Sequence, residues 1–182
     1  MTILSTARLR LEPFNDHHLE GLHAVNSDPQ VMRYITGKAE SMAETAAAIE
    51  RVKRRWAEWG FSWWSFFDLE TQAIIGSGCL QYLAGDTANP LELGWRLRQD
   101  KWHQGLASEA AQAMARHAFD SIGAAQLCAV CHPENTASAR VMQRLGMQYQ
   151  RMEFRYEMDC TVYGMTRAEW HARGQVEPRV QP

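Results

Sequence analysis

No run of about 18 consecutive apolar residues occurs in this 182-residue chain, so no segment reads as a membrane-spanning helix. The opening Met1-Thr2-Ile3-Leu4-Ser5-Thr6-Ala7-Arg8 lacks the basic start and apolar stretch of a secretory signal. A cytoplasmic location is the expectation. A surplus of one charge is missing too. Nineteen Lys and Arg against 21 Asp and Glu leave a formal net charge of −2, which gives no electrostatic footprint for nucleic acid. Repeats, low-complexity tracts and internal linkers are also absent. What remains is the composition of one soluble globular domain, 46% hydrophobic and 22% charged, large enough to bury a core without disulfides or metals. That domain is expected over residues 1–173, followed by a flexible tail over 174–182.

Cysteine is scarce, but two of the four spell Cys128-Ala129-Val130-Cys131-His132, the C-x-x-C-H pattern of covalent haem attachment. The same letters fit a redox pair or half of a zinc site. Haem attachment belongs with export, a zinc site needs a second ligand pair, and a redox pair usually opens a helix. Here the residues end an apolar run before Pro133, which reads as a strand, where positions three apart face opposite ways. Both cysteines are therefore expected in the core, and no metal is expected.

Period and punctuation divide the chain into alternating elements. Arg8–Glu12 alternates as a half-buried strand. Asn15 or Asp16 caps a helix towards Ser27, with His17 and His18 solvated at its start. A short helical piece lies around Val31–Ile35, after the turn at Asp28-Pro29. Ser41 with Glu44 forms a capping box for a helix through Ile49, Val52 and Trp56 to Gly60. Phe61–Leu69 and Ala73–Leu83 read as a hairpin turning at Glu70-Thr71-Gln72. A polar loop leads to strand Leu91–Arg98, a helix Ser108–Ile122, strand Gln126–Cys131 and a helix Thr136–Leu145 stopped by Gly146. Strands at about Met147–Met158 and Thr161–Met165 precede a short helix capped by Thr166 and Glu169. Trp63, Trp64, Phe66 and Phe67 could form a base-stacking platform. Without a basic groove they read instead as a strand covered on both faces.

The stretch carrying chemistry is Trp102-His103-Gln104-Gly105-Leu106-Ala107-Ser108-Glu109-Ala110, between a strand and an Ala-rich helix. A small-residue turn opening a helix aims several unpaired N–H groups at one point, at the positive end of the helix dipole. That suits a phosphate, and Gly105 lets the backbone approach it. Many loops of this kind bind nothing, so the motif alone leaves both readings open.

Three segments in order add a resemblance. They are Leu91-Glu92-Leu93-Gly94-Trp95-Arg96-Leu97, the turn above, and Asn135-Thr136-Ala137-Ser138 followed by Leu145-Gly146-Met147. This order resembles the GNAT superfamily of acetyl-coenzyme A-dependent N-acetyltransferases, most of all its RimJ/RimL-type branch, which acetylates the N-termini of ribosomal proteins. Ala7-Arg8-Leu9-Arg10-Leu11-Glu12-Pro13 is similar to the start of that branch. The resemblance spans about Arg8–Met165. It implies an α+β fold: a mixed, strongly twisted sheet of about seven strands, helices on both faces, and a cofactor cleft between splayed central strands.

The same resemblance implies a site. Trp95, Arg96 and Leu97 would offer backbone to the pantetheine arm of acetyl-coenzyme A. His103, Gln104, Gly105, Leu106, Ala107 and Ser108 would hold its diphosphate, and Asn135 would bond pantetheine from the far side. The reaction would be direct attack of a primary amine on the thioester within a ternary complex. An α-amine of pKa about 8 needs only modest help to lose its proton. Glu92 is the first candidate base, with Glu157 second. Ser138 is the candidate proton donor to the thiolate. Each has a plainer role open to it, a strand carboxylate for Glu92 and a helix-start cap for Ser138. Many relatives carry a tyrosine as the acid seven residues after the asparagine; here that position is Met142. The acceptor is an amine-bearing substrate, a peptide N-terminus or a small molecule such as an antibiotic, polyamine or amino acid, acted on by a monomer or homodimer. A non-catalytic acyl-coenzyme A sensor is the alternative. Neither nucleic acid nor membrane is an expected partner.

Overall fold

A computed structural model describes residues 2–174. The expected tail therefore lies outside the described residues, apart from Gly174. Eight strands form one mixed sheet: β1 (Leu4–Ser5), β2 (Leu9–Pro13), β3 (Trp63–Asp68), β4 (Ile74–Tyr82), β5 (Leu91–Leu97), β6 (Gln126–Cys131), β7 (Gln148–Arg155) and β8 (Met158–Thr166). Their order is β1-β2-β3-β4-β5-β6-β8-β7, one strand more than expected because the two-residue β1 is too short to show a pattern. The helices are α1 (Leu19–Asn26), α2 (Pro29–Met32), α3 (Met42–Trp59), α4 (Leu106–Arg116), α5 (Thr136–Leu145) and α6 (Arg167–Gly174). Among the described residues no helix is long and apolar enough to cross a membrane.

Local chemistry sets most boundaries. The Ser41 hydroxyl accepts from the Glu44 amide at 3.2 Å and the Glu44 carboxylate accepts from the Ser41 amide at 2.7 Å, a cap worth about 1 kcal/mol. Thr45, Ile49, Val52 and Trp56 then recur at helical spacing on the buried side of α3. Gly60 ends it in the left-handed region, φ +78°. α4 starts two residues earlier than its sequence suggested, at Leu106, and widens into a π-helical turn over His117–Ile122.

One face of the sheet meets α4, whose Ala110, Ala111, Met114 and Ala115 are buried. Close approach there depends on Gly78 in β4, where an added Cβ would run into the Phe66 ring and meet Met114 at 2.9 Å. The other face carries Ser65, Gln81 and Arg96, which bond His18 and residues of α1, α2 and α3. Trp64 and Phe66 are fully buried, while Trp63 and Phe67 are half-buried on the opposite side. The aromatic strand is thus covered on both faces, as expected.

Two expectations fail. His18 is buried rather than solvated: its Nδ1 lies 2.9 Å from the Ser65 hydroxyl and its Nε2 3.5 Å from Glu12. The helix it opens begins as a 3-10 turn capped by Asn15, which rotates His18 inward and leaves His17 outside. The last hairpin turns at Tyr156-Glu157, not near Asp159-Cys160. Both turn residues are left-handed, φ +52° and +62°. The apolar alternation of β7 continues straight through them and hides the turn. Cys128 and Cys131 are buried on β6, as expected, and burial pushes the Cys128 thiol up to about 12.

Candidate active site

β4 and β5 pair along their whole length, from Gly76↔Leu97 to Tyr82↔Leu91. β5 and β6 run parallel and pair at two positions only, Leu91↔Leu127 and Glu92↔Cys128. Beyond Glu92 the strands part. The backbone of β5 from Leu93 to Leu97 therefore faces a gap with its bonding groups on that side free of β6. A cleft of about 580 Å³ opens there.

Its walls contain most of the residues the sequence proposed. Trp95, Arg96 and Leu97 come from β5, and Asn135 and Ser138 from the start of α5. His103, Gly105, Leu106, Ala107 and Ser108 come from the turn into α4. Asn135 is engaged locally, since its side-chain oxygen caps α5 by accepting from the Ser138 amide at 3.1 Å. The cap is therefore Asn135, and the Ser138 hydroxyl is not used for it. Gln104 is not a wall residue. Its side-chain amide donates to the Asp100 carbonyl at 2.9 Å, so only its backbone is available to a ligand.

The turn is held from behind. Gly105 is the α4 N-cap at φ +79°, a conformation that suits glycine, and His103 precedes it at φ +60°. The Trp102 indole donates to the carbonyl of Leu97 at 2.8 Å, tying the loop to the end of β5. Arg8 donates to the Gln104 carbonyl at 2.9 Å while its Nε meets Glu109 at 2.7 Å. Glu109 also accepts from the Arg8 amide and the Thr6 hydroxyl, at 2.8 and 2.6 Å. Burial alone would raise the Glu109 carboxyl; these bonds outweigh it and hold the carboxyl below its ordinary value. Glu109 is thus a brace for the turn.

The cleft fits an anionic ligand. At the third position of α4 the Ser108 hydroxyl is buried without a hydrogen-bond partner among the described residues. An acceptor such as a phosphate oxygen at the helix start would complete it. Lys101, Arg140 and Arg144 also line the cleft. Sequence reading missed Arg140 and Arg144, although Ala137, Arg140, Val141 and Arg144 follow the i, i+3, i+4, i+7 spacing of one helix face. Gln30, Val31, Arg33, Tyr34 and Ile35, from the helical piece ahead of the first hairpin, form a further wall. There Tyr34 stacks on His132 at 5.2 Å, and Arg33 lies over Tyr34 at 4.8 Å.

The candidate catalytic residues separate. Glu92 stands at the crotch where β5 and β6 part, 6% exposed, and burial raises its carboxyl above the ordinary value. It is not on the cleft wall. Its Oε2 accepts from Gln81 Nε2 at 3.2 Å and from the Tyr156 hydroxyl at 2.5 Å. Glu157 lies exposed in the hairpin turn; the residue that reaches Glu92 is its neighbour Tyr156. Met142, seven residues after Asn135, is buried in the core.

The sequence profile of the family described as "Acetyltransferase (GNAT) domain" matches residues 8–148. The chain belongs to the GNAT acetyltransferases. This GNAT chain is an acyltransferase of the N-acetyltransferase kind, in a family that uses acetyl-coenzyme A. It is 28% identical to "uncharacterized N-acetyltransferase YoaA" of Bacillus subtilis, over 91% of this chain and 97% of that one. It is 28% identical to "FsC-acetyl coenzyme A-N(2)-transacetylase" of Aspergillus fumigatus, over 92% and 77%. Among solved structures, a GNAT-family acetyltransferase from Bacillus anthracis superposes with a TM-score of 0.78 at 23% identity, over 92% and 99%. An acetyltransferase of Salmonella typhimurium that modifies the N-terminal serine of ribosomal protein L7/L12 gives 0.77 at 17%, over 91% and 99%. RimL bound to coenzyme A gives 0.78 at 17%, over 91% and 98%. The mixed sheet with splayed central strands is the fold shared with them.

Proposed function

We propose that this chain moves an acetyl group from acetyl-coenzyme A to a primary amine, with Glu92 as the base. The observation that carries the reading is the loss of β5–β6 pairing after Glu92, beside a glycine-capped helix start. The free edge of Trp95–Leu97 would pair with the amides of the pantetheine arm, and the N–H groups of Gly105–Ser108 would take the diphosphate. Asn135 would bond the arm from the far wall. Bound this way, the thioester enters the gap near its crotch.

The amine approaches from the face carrying Gln81 and Glu92. An ammonium has no lone pair, and a buried carboxylate with a raised pKa is a stronger base than a solvated one. Glu92 would take that proton directly or through water. Backbone N–H groups of the opened β5 edge would steady the oxyanion of the tetrahedral intermediate. A thiol of pKa about 8.5 leaves as thiolate without strict need of an acid. Ser138, on the cleft wall, would supply a proton where one is used. Its hydroxyl is spared from capping, which supports that role, whereas Met142 offers none.

The acceptor is either a peptide N-terminus or a small amine. The first is supported by the fold shared with the L7/L12-modifying enzyme, the second by the relative named as an N(2)-transacetylase. Calorimetry with acetyl-coenzyme A should register binding, and free-thiol release should follow with a panel of amines and short peptides. Binding without release on any of them would overturn the acceptor assignment, and absence of binding would overturn the cleft.

A further inference from the structure

The tip of the β7–β8 hairpin is built against local preference. Two-residue turns with both residues left-handed favour Asn-Gly. Here Tyr156 and Glu157 occupy them at φ +52° and +62°. Such outliers persist when their surroundings hold them. The surroundings are visible. Although β7 and β8 lie beyond β6 in the sheet, the Tyr156 hydroxyl reaches β5 and meets Glu92 Oε2. It also accepts from the Ala84 amide, in the connection after β4, at 3.0 Å. That amide occupies a lone pair of the phenol oxygen and turns the phenol's own proton towards Glu92.

The second donor to Glu92 is equally fixed. Gln81 Oε1 accepts from Arg55 at 2.9 Å and from the Trp63 indole at 3.1 Å, two groups that only donate. Its amide nitrogen must therefore face Glu92. Both donors fall on Oε2, and Oε1 takes no bond among the described residues. We propose that Tyr156 is a positioning residue for the reaction: it clamps Glu92 Oε2 and leaves Oε1 as the oxygen that accepts the amine's proton. This inference rests on the reading of Glu92 as base. It gives the hairpin tip a role that no motif in the sequence marks.

The titratable and charged groups around Glu92 are few. Cys79 on β4, Cys128 on β6 and Cys160 on β8 are buried thiols held neutral by desolvation. Arg55 on α3 acts through Gln81, and Arg96 lies further along β5 on the same face. The phenol is held protonated by burial and by Glu92 itself. Its hydrogen bond favours the ionised carboxylate, opposing the rise that burial causes.

The test is a carbon-13 carboxyl titration of Glu92, assigned with Glu92→Gln, in wild type and Tyr156→Phe. The turnover probe is acetyl-coenzyme A with a serine-initiated peptide amide. Loss of the clamp should raise the Glu92 midpoint by about one pH unit, a tenfold change in proton affinity. The acidic limb of kcat/KM should move by the same amount, with acetyl-coenzyme A affinity unchanged. An unmoved midpoint overturns the clamp. A midpoint that moves while Glu92→Gln keeps full turnover leaves the clamp standing and removes Glu92 as base. If Tyr156→Phe does not fold, wild type decides: Tyr156 ring signals that follow the Glu92 titration support the clamp, and signals indifferent to it overturn it.

Discussion

The two sides of β5 are made by different means. Its edge towards β6 offers backbone, continued by a helix start, a left-handed glycine and one orphan hydroxyl. The face carrying Glu92 offers side chains drawn from α3, β3, β4 and the β7–β8 hairpin. A backbone site is written in consecutive residues, because helix starts and tight turns have local signatures. A side-chain site is written in residues far apart: Tyr156 and Glu92 are separated by 64 positions. The first kind of site is suited to holding an invariant coenzyme arm. The second is free to differ from one chemistry to the next.

Substitutions that touch one side alone put this contrast at risk. The largest effect is expected from Glu92→Gln, a fall in kcat of about 100-fold for loss of a general base. Coenzyme affinity measured by calorimetry should stay at the wild-type value. Its stability has a defined sign. The raised carboxyl favours the folded state below the ordinary carboxylate range, and that contribution is lost as pH rises through the folded value. Melting curves at pH 8 should therefore show Glu92→Gln at least as stable as wild type; a large loss would make Glu92 structural.

Gly105→Val should act on the other side. It forces a β-branched residue into φ +79° and should weaken acetyl-coenzyme A roughly 30-fold, from a left-handed penalty of about 2 kcal/mol. Calorimetry showing unchanged affinity would contradict the turn assignment. Ser108→Ala removes a hydroxyl that has no partner among the described residues, so the melting temperature should hold. Affinity for the coenzyme should fall roughly tenfold, the value of a hydrogen bond to a charged group; equal affinity would place the phosphates elsewhere.

The smallest effect concerns the brace. Glu109→Gln should cost about 1 kcal/mol at pH 7, for the weakened bonds to Arg8 and Thr6. Because the Glu109 carboxyl is depressed, its contribution is present above the ordinary carboxylate range and is lost as pH falls through the folded value. The gap between the two melting curves should close in acid, and a gap that persists there would assign the effect to packing.

The same contrast explains what the residues disclosed in advance. The Ser41–Glu44 cap, the turn at Glu70–Gln72 and the glycine turn into α4 at Gly105 are chemistry among near neighbours, and each stands where it was expected. His18 eluded the same reading, because one 3-10 turn decides which of two adjacent histidines points inward. The turn at Tyr156-Glu157 eluded it because neither residue favours a left-handed backbone, and what holds them lies on β5 and after β4. The cationic wall of α5 was within reach of periodicity and went unread.

With β5 and β6 laced by just two rungs, backbone continuity between β1–β5 and β6–β8 is slight. A coenzyme whose amides stitch onto the parted edge would supply the missing lacing and make one plate of two. Hydrogen exchange should then slow on both flanks together when the coenzyme binds, including amides that never touch it.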